Sequence, residues 1–322
     1  MILHSARPYF RHTSAALVAA AAFTLASVTL TAQTQDVDRA QLFRDQTSLQ
    51  NNQPSTTASG VSSDLGSSPN DPDLGEQQIL KRSERALPFT ASISVPFYYT
   101  SNVALVRSGE ESDVLFAPMA SVDYAPRLSK SFIADFSVTQ QYFRYDRFSE
   151  LDFGAFDFRA ALTYLVPNAH DLTVRVGYDY NRLTQDAGFD EFYSDHTLFL
   201  NTNLPIRIGR AQQVSLGSDI NISLAGDPDN PRREDFDGYL GYSASLTRAL
   251  TVDAVGRLAL RDYILGDRID VSESIAVSAN YRVTKWLSAT AVSTFVWNQS
   301  NHSVFDYQVT NVGGAVSFSY KF

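Results

Sequence analysis

Tyr307-Gln-Val-Thr-Asn-Val-Gly-Gly-Ala-Val-Ser-Phe-Ser-Tyr-Lys-Phe322 closes the chain, and its two interleaved halves differ in kind. Thr310, Val312, Gly314, Val316, Phe318, Tyr320 and Phe322 are mostly apolar or aromatic. Asn311, Gly313, Ala315, Ser317, Ser319 and Lys321 are small or polar. A two-residue period is that of a β-strand with unlike faces. The last residue is an aromatic of the apolar face. In a soluble sandwich it would leave an unpaired edge with an exposed aromatic rim. In a sheet closed on itself within lipid, the last strand pairs with the first and the apolar face meets acyl chains.

Eleven earlier segments alternate in the same way: 89–99, 113–124, 131–142, 155–164, 171–181, 195–204, 213–225, 236–247, 251–263, 269–283 and 287–297. In the fifth, Leu172, Val174, Val176, Tyr178 and Tyr180 alternate with Thr173, Arg175, Gly177, Asp179 and Asn181. These runs are longer than the ~5–6 residues of a common soluble strand and suit tilted strands crossing a bilayer. The fold class expected is all-β: a transmembrane antiparallel up-and-down β-barrel of about 12 strands over residues 88–322,. Connections alternate, with short turns at one end and longer loops at 100–112, 146–154, 183–194, 226–235 and 299–306; only 266–268 departs from the rule. Phe132, Tyr164, Tyr281, Trp286 and Tyr320 are expected in one aromatic girdle, and Tyr99, Tyr178, Tyr180 and Trp297 in the other,.

Residues 1–32 carry Arg7 and Arg11, an Ala-rich apolar run over 15–28, and Ala32 before polar Gln33. That is the layout of a cleaved signal peptide, and the run is shorter than the ~20 residues a membrane-spanning helix needs. Removing two of 26 basic residues and none of 35 acids moves the net charge from −9 to −11. Nucleic-acid binding is therefore not expected. The chain has no Cys, so neither lipid attachment through Cys nor a disulfide is available,. Residues 33–87 are rich in Ser, Thr, Asn, Gly and Pro and are expected to be a disordered periplasmic linker, a tether with short helices possible at 36–49 and 74–85,. A plug or partner-binding segment is the other reading of that stretch.

The C-terminal aromatic strand resembles the signature of Gram-negative outer-membrane β-barrels. The resemblance implies that Phe318, Tyr320 and Phe322 form the barrel-assembly signal read by the barrel assembly machinery. The run Tyr98-Tyr99-Thr100-Ser101-Asn102-Val103-Ala104-Leu105, followed by Ser112-Asp113, resembles the first loop of β-barrel porins of uncharacterised function. It implies an outer-membrane location, among lipid and lipopolysaccharide, and a pore of no known solute; the even strand number puts both termini in the periplasm.

Asp157, Arg159, Arg175, Asp179, Asp219, Asp253, Arg257, Arg261 and Arg282 fall on the inward parity and are the expected pore-lining charges. A turn centred on Asn168 would set Tyr164 opposite Leu172 and Asp157 opposite Asp179,. These charges either orient a polar solute or pair with one another and stiffen the wall. Small residues such as Ser288, Thr290, Thr294 and Ser317 favour an open lumen. The acidic loops lack the spacing of a Ca²⁺ site, while Arg232 and Arg233 could meet lipopolysaccharide phosphates,. Hydrolase candidates reduce to His196 with Asp195 and His302 with Ser303, neither within a motif,. The expectation is a passive, porin-like channel for small polar solutes, with no enzymatic activity, cofactor or metal. The alternative is a structural barrel anchoring an assembly or export partner.

Overall fold

The computed structural model describes residues 34–44, 87–169, 171–185, 190–209 and 211–322. The expected signal peptide, most of the linker and its second candidate helix lie outside these residues. Within them, strands β1 (Phe89–Thr100), β2 (Asp113–Phe116), β3 (Met119–Tyr124), β4 (Phe132–Tyr145), β5 (Phe153–Val166), β6 (Leu172–Gln185) and β7 (Glu191–Arg207) follow in order. They continue as β8 (Gln212–Asp227), β9 (Arg233–Ser245), β10 (Leu250–Tyr263), β11 (Ile269–Arg282), β12 (Leu287–Ser300) and β13 (Tyr307–Lys321). Each pairs antiparallel with its neighbours, and β13 returns to β1, from Thr90↔Lys321 to Thr100↔Asn311. The Phe89 N–H donates to the Phe322 carbonyl at 3.2 Å and the Phe322 N–H to the Phe89 carbonyl at 3.0 Å. The sheet is closed and has no free edge.

Strands β2 and β3 make one stave, since both lie between β1 and β4. The break falls at Ala117-Pro118, where proline has no N–H to continue the ladder,. The barrel thus has twelve staves, as the alternation predicts. Strands reach further than expected: β6 runs to Gln185 and β7 starts at Glu191, so together they take up more than half of the predicted loop 183–194. The end carrying loop 101–112 is the long-loop end, and the opposite one the short-turn end.

The distribution of polarity is inverted relative to a water-soluble protein. Ile93 is 59% exposed and Leu240 58%, whereas Ser94 is 1% and Asn311 0%. Apolar side chains form the outer surface and polar ones the interior, the arrangement that lipid favours. Phe132, Tyr164, Tyr281, Trp286 and Tyr320 are exposed at the short-turn end. There Phe132 meets Tyr164 at 4.8 Å and Phe89 stacks on Phe322 at 5.5 Å between centroids.

One predicted register is corrected. Val166 pairs with Leu172 and Tyr164 with Val174. The turn is centred one residue later than assumed, with Asp171 in the left-handed region at φ 59°. This slides the pairing by two residues, so no side chain changes face, but Asp157 now opposes Asn181 and Arg159 opposes Asp179.

The larger correction concerns the linker. Residues 34–44, within the expected tether and overlapping its first candidate helix at 36–49, form a helix, α1, whose buried side chains pack against inward-facing wall residues.

Candidate functional site: the lumen and its helix

Asp36 lies in the first described turn of the helix and pairs with Arg39, three residues on, at 3.0 Å,. Val37, Ala40 and Phe43, spaced three apart, share one side. They pack with Tyr98, Leu115, Phe143, Tyr145, Leu183 and Tyr193. Phe43 stacks on Tyr98 and meets Tyr145 edge-on, each at 6.1 Å. Leu42 points elsewhere, to Leu105, Val296, Tyr307 and Val309. These wall residues belong to the long-loop ends of staves on opposite arcs, so α1 fills that half of the lumen. An isolated helix this short is marginal in water; burial on several sides holds it.

Two charged contacts tie the helix to the wall. Asp38 accepts bonds from Arg233 and the Tyr263 hydroxyl, both 2.7 Å, and from Arg268 at 2.9 Å. Arg44 pairs with Asp157 deeper in the lumen. Burial opposes the Arg268 charge, but Asp38 and Asp270 outweigh it and hold its pKa above the usual arginine value.

The predicted lumen charges mostly pair with one another. Arg159 binds Asp179, and Arg175 binds Asp135. Both guanidiniums lie over Phe199, at 5.2 and 5.5 Å. Arg257 bridges Asp219 at 3.7 Å and Asp237 at 3.3 Å. Asn201 also donates to Asp219. Arg261 lies beside Tyr307, near Arg233. Arg282 donates to the Arg248 carbonyl at 2.7 Å, near a cleft of about 550 Å³ at the short-turn rim that also includes Ser245, Thr251 and Asn280. Asp253 sits on the same inward parity, opposite Ser243 and Ser278. In the central ladder these inward charges are thus paired within the wall.

The small wall residues do not leave the lumen open throughout. Thr294 and Asn298 approach the helix-filled half, whereas Ser288 and Ser317 line the short-turn half. There inward rings lie against cross-strand glycines, as Phe199 against Gly177 and Tyr239 against Gly217. A Cβ on Gly217 would come within 2.3 Å of the Tyr239 ring and 2.2 Å of the Thr202 carbonyl oxygen.

Three expectations about other residues change. Arg233 turns inward to Asp38 rather than outward, and Arg232 is occupied by Asp229 at 2.7 Å and Ser223 at 3.1 Å. Asp195 faces inward to Ser223 at 2.6 Å, but His196 faces outward and meets Tyr178. Consecutive strand residues point to opposite faces, so this pair cannot act as a dyad. His302 is exposed in the last loop. Among the described residues, no cluster of His, Cys, Asp or Glu has the arrangement to hold a metal. Sequence reasoning missed Asp38, Arg268 and Tyr263; Asp38 lay in a segment assigned to a tether.

No family model and no curated protein sequence matches the chain. Solved structures do. An outer membrane channel from Pseudomonas putida F1 aligns at TM-score 0.50, with 11% identity, over 74% of this chain and 98% of that one. The fold is that of outer-membrane β-barrels. A bacterial polysaccharide outer membrane secretin aligns at 0.44, with 10% identity, over 73% and 100%. The translocator domain of the autotransporter NalP from Neisseria meningitidis aligns at 0.42, with 11% identity, over 74% and 90%. At these identities the likeness is one of fold; what this barrel does must come from its own lumen.

Proposed function

We propose that this barrel is a channel for small polar solutes, closed at its long-loop end by α1. In this reading the long-loop end faces outward, the strand termini face the periplasm, and Phe318, Tyr320 and Phe322 present the barrel for assembly into an outer membrane rich in lipopolysaccharide. The observation that carries it is the division of the lumen. The short-turn half is lined by small and polar side chains, while the other half is filled by a separate segment rather than by the wall's own residues. Barrels of eight strands fill with side chains and those of sixteen leave aqueous pores; twelve staves leave a space one helix wide.

The packing of Val37, Ala40 and Phe43, all with 0% exposure, favours one competing reading, a structural or export-partner barrel whose lumen never opens. Single-channel recording of the full refolded chain in a planar bilayer separates the two. Wild-type protein should be mostly silent. Phe43→Asp, which puts a carboxylate among Tyr98, Tyr145 and Val37, should release the helix and give steady open steps. Silence from a Phe43→Asp barrel shown to be folded by its gel mobility before and after heating would overturn the channel reading and support the anchor.

A further inference from the structure

We propose that Arg233, Arg268 and Tyr263 form a carboxylate-binding site for a solute, which Asp38 of α1 occupies as an internal stand-in. This deepens the channel reading and, as a statement about solute, rests on it. Each of the three wall groups gives Asp38 one donor: Arg233 and Tyr263 to Oδ1 at 2.7 Å, Arg268 to Oδ2 at 2.9 Å. Charged donors on both carboxylate oxygens make a strong and directional set.

The wall builds the cradle without help from the helix. Arg233 Nε donates to Asp235 at 2.9 Å, and Arg268 Nε to Asp270 at 3.0 Å. Asn298 fixes Asp270 in turn, at 3.0 Å. The Arg268 guanidinium lies between the rings of Tyr263 and Phe305, 3.9 and 3.6 Å from their centroids. Arg233 lies over the same Tyr263 ring, 5.6 Å from its centroid, and donates to its hydroxyl at 3.1 Å. If α1 leaves, these supports stay.

Charge and valence then call for a replacement. Arg233 and Arg268 pair with Asp235 and Asp270, and Arg261 lies beside Arg233, so once Asp38 is removed the three arginines outnumber the two wall acids paired with them. An unbalanced cation in so enclosed a place is costly. Arg268 Nη1 is also buried with no hydrogen-bond partner, a spare donor beside the carboxylate. A carboxylate flanked by a hydroxyl, as in a sugar acid or hydroxy acid, would answer the charge and that donor together. Anchoring α1 did not require a carboxylate here, because buried ion pairs can often be replaced by well-packed apolar groups.

The test uses chemical replacement in the full chain. Asp38→Ala removes the carboxylate and leaves space for a small one. In detergent, Asp38→Ala is expected to lower Tm, and formate to raise it again in a saturable way. Chloride at the same ionic strength and neutral formamide should raise it much less, and wild type should respond to none of them. Adding Arg268→Gln to Asp38→Ala should weaken formate binding by at least about tenfold, the loss of one charged hydrogen bond. If Asp38→Ala does not fold, Asp38→Ser makes the smaller excision and is titrated instead. Equal responses to formate and chloride would overturn the site even if the barrel conducts. Formate binding in a barrel that never conducts would keep the site and refute the channel. With conduction present, gluconate should block Asp38→Ala at lower concentration than glucose does; equal block would refute the assignment to carboxylate solutes.

Discussion

The two halves of the lumen are made from the same strands yet solve different problems. At the long-loop end, inward positions are large: Tyr98, Leu115, Phe143, Leu183 and Tyr193 form a packed core around α1. At the short-turn end, inward positions such as Ser245, Thr251, Asn280, Ser288 and Ser317 are small and polar, and serines bond across strands, as Ser317 with the buried Ser94 at 2.8 Å. One half behaves as the interior of a globular protein, close-packed and intolerant of change in volume. The other behaves as a wetted wall. A barrel can therefore hold a plug with core-like packing and still keep a polar vestibule beneath it.

The contrast has limits that substitutions can find. The largest effect is expected in the half that looks empty. Gly217→Val would drive a side chain into the Tyr239 ring and the Thr202 carbonyl, and Tyr239 would lose its bond to that carbonyl at 3.2 Å. Loss of the folded, heat-modifiable band, or a Tm lower by many degrees, is the expected outcome. Near-normal stability would mean that the ring-to-glycine contact is slack.

Next comes overpacking of the filled half. Ala155 is fully buried beside α1, and Ala155→Leu should cost about 1–3 kcal/mol or expel the helix,. Denaturant unfolding measures the first, and proteolysis within residues 34–44 detects the second. If neither occurs, the half is less tightly packed than its burial indicates.

Arg44→Ala probes the boundary between the halves. It strips Asp157 of its partner on the helix, although Asn181 still donates to Asp157 at 3.1 Å. A brief, flickering opening in bilayer recordings, with a smaller stability loss than Ala155→Leu, is the expected result. Unchanged closure would assign retention of the helix to Asp38 and the apolar contacts.

The smallest effect belongs to Thr251→Leu in the short-turn cleft, where there is room for the added volume. Stability should stay within about 0.5 kcal/mol, the usual range for substitutions that create neither cavity nor clash. Conductance of an opened barrel should fall modestly. A large stability loss would erase the distinction between the two halves.

Much of this architecture was legible in the chain. Strand number, face assignment and the aromatic girdle at the short-turn end follow from alternation, because in a lipid-embedded barrel each residue's parity dictates its solvent. The Asp157–Asp179 pairing was misjudged because a turn's centre depends on a single backbone conformation, here Asp171, that composition does not specify. The inward charges were identified by parity, but which acid meets which base was a matter of register.

The sequence alone determined about twelve amphipathic strands whose apolar faces suit a sheet closed in lipid, where every backbone group must be satisfied internally. It did not determine that residues 34–44 lie inside. Val37, Ala40 and Phe43 form an apolar stripe that a tether helix could equally present to another protein. Only tertiary structure brings Asp38 to Arg233, Tyr263 and Arg268, about two hundred positions away in the chain,. The physical reason is that a helix so short has no stable fold of its own. Its place is set by a cavity that exists only after the barrel has closed.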